Sequence, residues 1–143
     1  MIIREINIED YDDLLDLFSQ TPGITVRDAD SKESTKKYLL RNPNLNFVAT
    51  VNSEIIGCVM CGHDGRRGYL QHLIVKPKHQ KKGIGQKLFE KCITNLKSIA
   101  IHKTHIFVFK DNNQANSFWM KQGWEIRDEI NMYSYNETNN KNV

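Results

Sequence analysis

Apolar and polar residues alternate over residues 2–6, the period of a strand with one buried face. Asn7 stands where a helix would be capped, and Tyr11, Leu14, Leu15 and Phe18 then recur at helical spacing until Thr21-Pro22-Gly23 interrupts them. After a polar loop, Ser31 opens a second helix through Tyr38, Leu39 and Leu40. It must stop before Asn42-Pro43, because a proline pushes the residue ahead of it out of the helical region. Residues 46–51 and 55–61 read as a hairpin about Asn52-Ser53, and Asp64-Gly65 is a turn signal leading into a long strand over 68–75.

The pattern then changes period. Residues 83–99 predict an amphipathic helix with Ile84, Leu88, Cys92, Leu96 and Ile99 along one side, followed by a strand over 105–109. Residues 114–122 predict a short helix stopped by Gly123. Residues 124–127 and 130–135 read as a final pair of strands, and the polar residues 136–143 as a frayed tail. With no repeat and no linker, residues 1–143 are expected to form one α/β domain.

Composition narrows the class. A chain of 143 residues, 39% hydrophobic and 26% charged, is long enough and apolar enough to bury its own core, which excludes disordered and fibrous classes. No apolar run approaches the ~20 residues that span a bilayer. The start Met1-Ile2-Ile3-Arg4-Glu5 lacks a signal-peptide pattern, so a cytoplasmic location is expected.

Three cysteines are too few and too unevenly placed for a disulfide framework. Cys58-Val59-Met60-Cys61 has the spacing of a redox or zinc motif. It lies in a predicted strand, however, where residues three apart face opposite ways, so no metal site is expected.

Charge singles out one stretch. Lys76, Lys78, Lys81, Lys82, Lys87 and Lys91 face a lone acid, Glu90, across the junction of a strand and a helix. Such a run suits nucleic acid, an acidic membrane surface or a small phosphorylated ligand, or is simply a solvated helix face. Gly83 and Gly85 within it favour the phosphorylated ligand. A helix start offers unpaired N–H groups and a favourable dipole, and glycine lets backbone approach an anion without a Cβ. Two familiar phosphate loops do not fit. A dinucleotide fingerprint would need Gly or Ala where Leu88 stands. A P-loop would need glycine at Lys78 or Gln80, and Ser or Thr after a lysine.

Gln80-Lys81-Lys82-Gly83-Ile84-Gly85 does resemble the acetyl-CoA signature of the GNAT acyltransferase superfamily, Q/R-x-x-G-x-G/A. Asn112-x-x-Ala115-x-x-Phe118-Trp119-x-x-x-Gly123-Trp124 resembles that family's second marker, and the order of elements is similar along nearly the whole chain. The resemblance implies a mixed, mostly antiparallel sheet of six to seven strands, splayed between the fourth and fifth and flanked by about four helices. It implies a single N-acetyltransferase domain that moves an acetyl group from acetyl-CoA to a primary amine, small or on a protein, in a ternary complex. No metal, nucleic acid or membrane takes part, and a homodimer is an expectation because dimers are common in the family.

Site residues follow from the same resemblance. Leu73, Ile74 and Val75 would offer backbone groups to the pantetheine arm and the thioester. The amides of Lys81, Lys82, Gly83, Ile84, Gly85 and Gln86, with Gln80 opening the motif, would hold the pyrophosphate. Asn112 would reach the pantetheine, while Phe118 and Trp119 would flank the cofactor near its sulfur. For Phe118 and Trp124, plain core packing is the competing reading.

The chain departs from the family at Trp119, where many members have a tyrosine that protonates the leaving thiolate. An indole N–H is no usable acid, so water, Tyr133 or Tyr135 is left to serve. For the base, His72 lies beside the expected thioester site. It also reads as a structural strand residue, because Leu70 and Ile74 are expected on its face. Tyr69 and Gln71 would point the other way and line the acceptor pocket. His79, His102 and His105 read as surface or strand-edge residues, and Arg66-Arg67 as part of a solvated turn or a greeting for an anionic acceptor. Two alternatives stay open: an acyl-CoA-binding module of weak activity, and a nucleic-acid-binding domain using the lysines.

Overall fold

β1 (Ile2–Glu5), β2 (Phe47–Val51), β3 (Glu54–His63), β4 (Gly68–Val75) and β5 (Thr104–Ile106) form one sheet in that order, antiparallel except for the parallel β4–β5 pair. This computed structural model describes all residues from Met1 to Val143. Helices α1 (Tyr11–Gln20), α2 (Lys32–Arg41), α3 (Ile84–Ser98) and α4 (Asn113–Lys121) complete the mixed α/β architecture. The chain divides into two compact units, Met1–Phe107 and Val108–Val143. No helix is long and apolar enough to cross a membrane.

In the first unit the sheet is covered on both faces. Leu14, Leu17 and Phe18 of α1 share a core with Val48, Ile55, Cys58, Met60 and Ile74, with Tyr38 and Leu39 of α2 packed against it. Strand alternation turns the neighbouring positions toward α3. A Cβ on Gly57 would lie 3.5 Å from Leu88, and one on Gly68 2.7 Å from Leu96. Cys58 and Cys61 therefore face opposite ways, as their spacing predicts. Cys58 joins the α1 core, and the Cys61 thiol meets Cys92 of α3. The neighbouring Cys61 thiol, together with burial, pushes the Cys92 thiol up, the Cys92 thiol donates to the Leu45 carbonyl oxygen at 3.3 Å, and all three cysteines are free.

Local chemistry sets the helix starts. The Ser31 side chain accepts from the Ser34 amide ahead of α2. Before α1, a 3-10 turn (Ile8–Asp10) is closed by Asn7 and Asp10, each side chain accepting a backbone N–H of the turn. Arg4 clamps Asp10 through two hydrogen bonds of 2.8 Å, tying β1 to that turn. Along α3, Ile84, Leu88, Cys92 and Leu96 are buried as the periodicity predicts, while Ile99 falls beyond the helix and is exposed.

The strand count differs from expectation. Five strands form, and neither 124–127 nor 130–135 is among them; β5 is also shorter than 105–109. Ile126, Ile130 and Met132 are exposed. Alternation is a necessary feature of a strand but not a sufficient one, because each strand needs a ladder for its N–H and C=O groups, and a lone hairpin is marginal in water. Residues 136–143 are likewise exposed and outside helices and strands.

At Gly57, β3 packs tightly against β4 and α3: a Cβ there would lie 2.8 Å from the Ile74 carbonyl oxygen, a backbone atom that cannot swing aside. Gly57→Ala is expected to cost about 1–3 kcal/mol of stability through overpacking. An unchanged urea midpoint would show that the strands can part without penalty.

Candidate active site

β3 and β4 fall out of step once. Cys58 pairs with Ile74 and Met60 with Gln71, so Val59 alone opposes both His72 and Leu73. This is a β-bulge, and His72 carries its strain at φ +51, a left-handed conformation uncommon for a residue with a side chain. The bulge reverses the facing of everything beyond it. Leu70 pairs with Cys61 on the α3 side, whereas Ile74 packs in the α1 core, so the expectation that both share a face with His72 holds for Ile74 and is corrected for Leu70. The Cys58 thiol donates to the His72 carbonyl oxygen at 3.2 Å, giving the displaced peptide a partner, and burial raises that thiol to about 12.

The His72 side chain turns to the α1 side. Its ring lies 4.4 Å from that of Phe18, and Nε2 is 2.8 Å from Oδ1 of Asp30. Asp30 ends a 3-10 turn (Asp28–Asp30) between α1 and α2, 42 residues from His72 in sequence. Its Oδ2 accepts from the Arg27 amide at 2.9 Å, and its carbonyl oxygen accepts from the Tyr11 hydroxyl at 2.7 Å. Burial alone would raise the Asp30 carboxyl, but the His72 and Arg27 hydrogen bonds outweigh it and hold Asp30 below the usual aspartate value. Burial pushes the Tyr38 hydroxyl up to about 12, and the nearby Gln71 side chain offsets part of that rise. Tyr69 packs near His105 and Phe107, at centroid distances of 5.8 and 6.3 Å. By register Tyr69 and Gln71 oppose Gly62 and Met60, on the α1–α2 side, so the bulge brings His72 onto their face. The sequence reading missed Asp30. It sat in a polar loop with no spacing to distinguish it.

β4 pairs with β5 only from Gly68 to Leu70 and then runs on without a partner on that edge. The Lys76 amide bonds to Ile56 of β3, so alternation turns the Leu73 and Val75 peptide groups toward the open edge and Ile74 toward β3. Gln80 reaches back there, its Nε2 donating to the Val75 carbonyl oxygen at 2.8 Å. The turn it anchors crosses left-handed residues at Lys81 (φ +61) and Gly83 (φ +80) and enters α3. Between Lys81 and Gln86 no backbone amide has an acceptor in the chain, and a Cβ on Gly83 would meet nothing within 4 Å. Of the lysines there, Lys76 is held by Glu54 at 2.9 Å, whereas Lys78, Lys81, Lys82 and Lys87 are exposed.

The second unit accounts for the other marker. Asn112 caps α4, its Oδ1 accepting from the Ala115 amide at 3.1 Å. Trp119 is buried there, edge-on to Phe118 at 5.1 Å and tilted against Trp124 at 4.5 Å. Gly123 takes φ +83 as the helix stop. Tyr133 and Tyr135 lie outside any strand and are about nine-tenths exposed.

The model of the Acetyltransferase (GNAT) family matches residues 11–124. An acetyltransferase from Pectobacterium atrosepticum is 30% identical, over 92% of this chain and 93% of its own. One from Sodalis glossinidius is 27% identical, over 91% of each. Among solved structures, the PaiA N-acetyltransferase of Thermoplasma acidophilum, in complex with coenzyme A, superposes with a TM-score of 0.80 at 24% identity, covering 89% of this chain and 91% of that one. A predicted acetyltransferase from Clostridium acetobutylicum with acetyl-CoA gives 0.68 at 20% identity, covering 93% and 95%.

An ionised, hydrogen-bonded Asp30 stabilises the fold above its unfolded value of about 3.9 and ceases to as pH falls through its depressed folded value. The stability difference between wild type and Asp30→Asn should therefore be full at neutral pH and shrink at about pH 3. Urea midpoints at the two pH values measure it. A difference that stays constant would mean that the carboxylate charge is not what His72 and Arg27 hold.

Proposed function

Because the chain belongs to the Acetyltransferase (GNAT) family, we propose that it transfers an acetyl group from acetyl-CoA to a primary amine by direct attack in a ternary complex. The observation that carries this reading is the row of acceptor-free amides from Lys81 through Gln86 at the mouth of α3. A diphosphate suits that row. The helix dipole and the exposed lysines attract it, and open space above Gly83 lets it reach the backbone. The peptide groups of Leu73 and Val75, on the partnerless edge of β4, suit the amides of an extended arm that adds to the sheet as a strand does.

Bound acetyl-CoA supplies the acyl group as a thioester; the transfer makes a C–N bond and breaks a C–S bond. The chain's own part is alignment and proton handling. His72 stands at the bulge as the base for the amine's proton, with Tyr69 and Gln71 on the same face to line the acceptor's approach. Trp119 offers no acid, and little is needed. An alkyl thiol ionises near 8.5 and an alkyl amine near ~10.4, so the thiolate is the better leaving group. The indole at that position also favours a second reading, an acyl-CoA-binding module of low turnover.

Free-thiol release from acetyl-CoA with a panel of amines, and mass spectrometry of the product, tests the main reading. Tight binding without turnover would select the second. Gly83→Asp places a carboxylate in the amide row at a left-handed residue and should abolish most coenzyme A binding by calorimetry while helical circular dichroism is retained. Unchanged affinity would remove the diphosphate from that turn.

A further inference from the structure

We propose that Asp30 is the positioning residue for the transfer, holding the His72 imidazole in the tautomer that leaves Nδ1 as the proton acceptor. This rests on the reading of His72 as the base. Nε2 lies 2.8 Å from a carboxylate oxygen, and a carboxylate only accepts, so in the neutral ring Nε2 carries the hydrogen and Nδ1 the lone pair. Every buried side-chain N or O atom has a hydrogen-bond partner, and Nδ1 has none in the chain, so Nδ1 opens to solvent.

Asp30 is itself held. The Arg27 amide takes Oδ2, the Tyr11 hydroxyl takes its carbonyl oxygen, and the Phe18 ring closes one side of the imidazole. Side chains 12% and 14% exposed are sheltered enough for the pair to hold a fixed geometry. The pieces come from α1, the α1–α2 loop and β4, and only the bulge turns His72 toward the other two. The amine's proton passes to the Nδ1 lone pair as the C–N bond forms. The ring, now cationic, keeps its Nε2–H on the Asp30 carboxylate, which stays ionised, and then releases the Nδ1 proton to solvent.

Two measurements on the full chain test this. In the first, 15N spectra of the His72 ring at a pH where it is neutral should show hydrogen on Nε2 in wild type, with that preference lost in Asp30→Asn. Hydrogen on Nδ1 in wild type would overturn the proposal whatever the activity. In the second, with an amine that the panel shows to be acetylated, Asp30→Asn should lower kcat about 10- to 100-fold at unchanged KM for acetyl-CoA. The double variant with His72→Gln should be no slower than His72→Gln alone. Losses that multiply, or full activity in Asp30→Asn, would overturn the positioning role. Full activity in His72→Gln, or no acetylation of any amine by wild type, would instead sink the reading beneath it. If Asp30→Asn does not fold, the wild-type spectrum still decides.

Discussion

One extra residue in β4 is the constraint on which the site depends. Because a strand presents alternate residues to opposite faces, inserting a residue against Val59 exchanges the faces for all that follows. Leu70 can then fill the α3 side while Ile74 fills the α1 side, although their even spacing along a regular strand would put both on one face. The strain falls on His72, and the Cys58 thiol, Phe18 and Asp30 together hold it there. Left-handed backbone at a residue other than glycine costs about 1–3 kcal/mol and persists where its surroundings over-determine it. That is the situation of this histidine.

The second feature of the site is what β4 does without a neighbour. Past Leu70 it leaves β5, and its outward peptide groups face an open edge. At its end the chain turns through Gln80 and Gly83 into a helix whose leading amides have nothing to bond to. Unsatisfied backbone groups of this kind are ordinarily removed by caps or pairing. Here the capping position is a glycine without a side chain. Strand edge and helix mouth therefore each leave backbone groups unused, and the Gln80 side chain, bonded to the Val75 carbonyl oxygen, ties one to the other.

Local signals in the chain accounted for most of this architecture. Helix positions followed from apolar spacing, and two of their ends from Ser31 and Gly123, because capping is chemistry between near neighbours. The turn at Gln80–Gly85 was legible for the same reason: glycine, lysine and a helix start are adjacent in sequence and act together. Opposite facing of Cys58 and Cys61 followed from period two alone. The last two strands were misread, since Ile126, Ile130 and Met132 carry the right alternation and still form no ladder.

By itself, then, the sequence determined the helices, the strands of the sheet, the glycine-containing turn ahead of α3 and the family, all of which are encoded within windows of a few residues. Tertiary structure alone decided the bulge, the side to which His72 turns, and the meeting of that ring with Asp30 across 42 residues. The reason is physical. A register shift is settled by how two strands and two covering layers pack at once, and no spacing along one strand records that outcome.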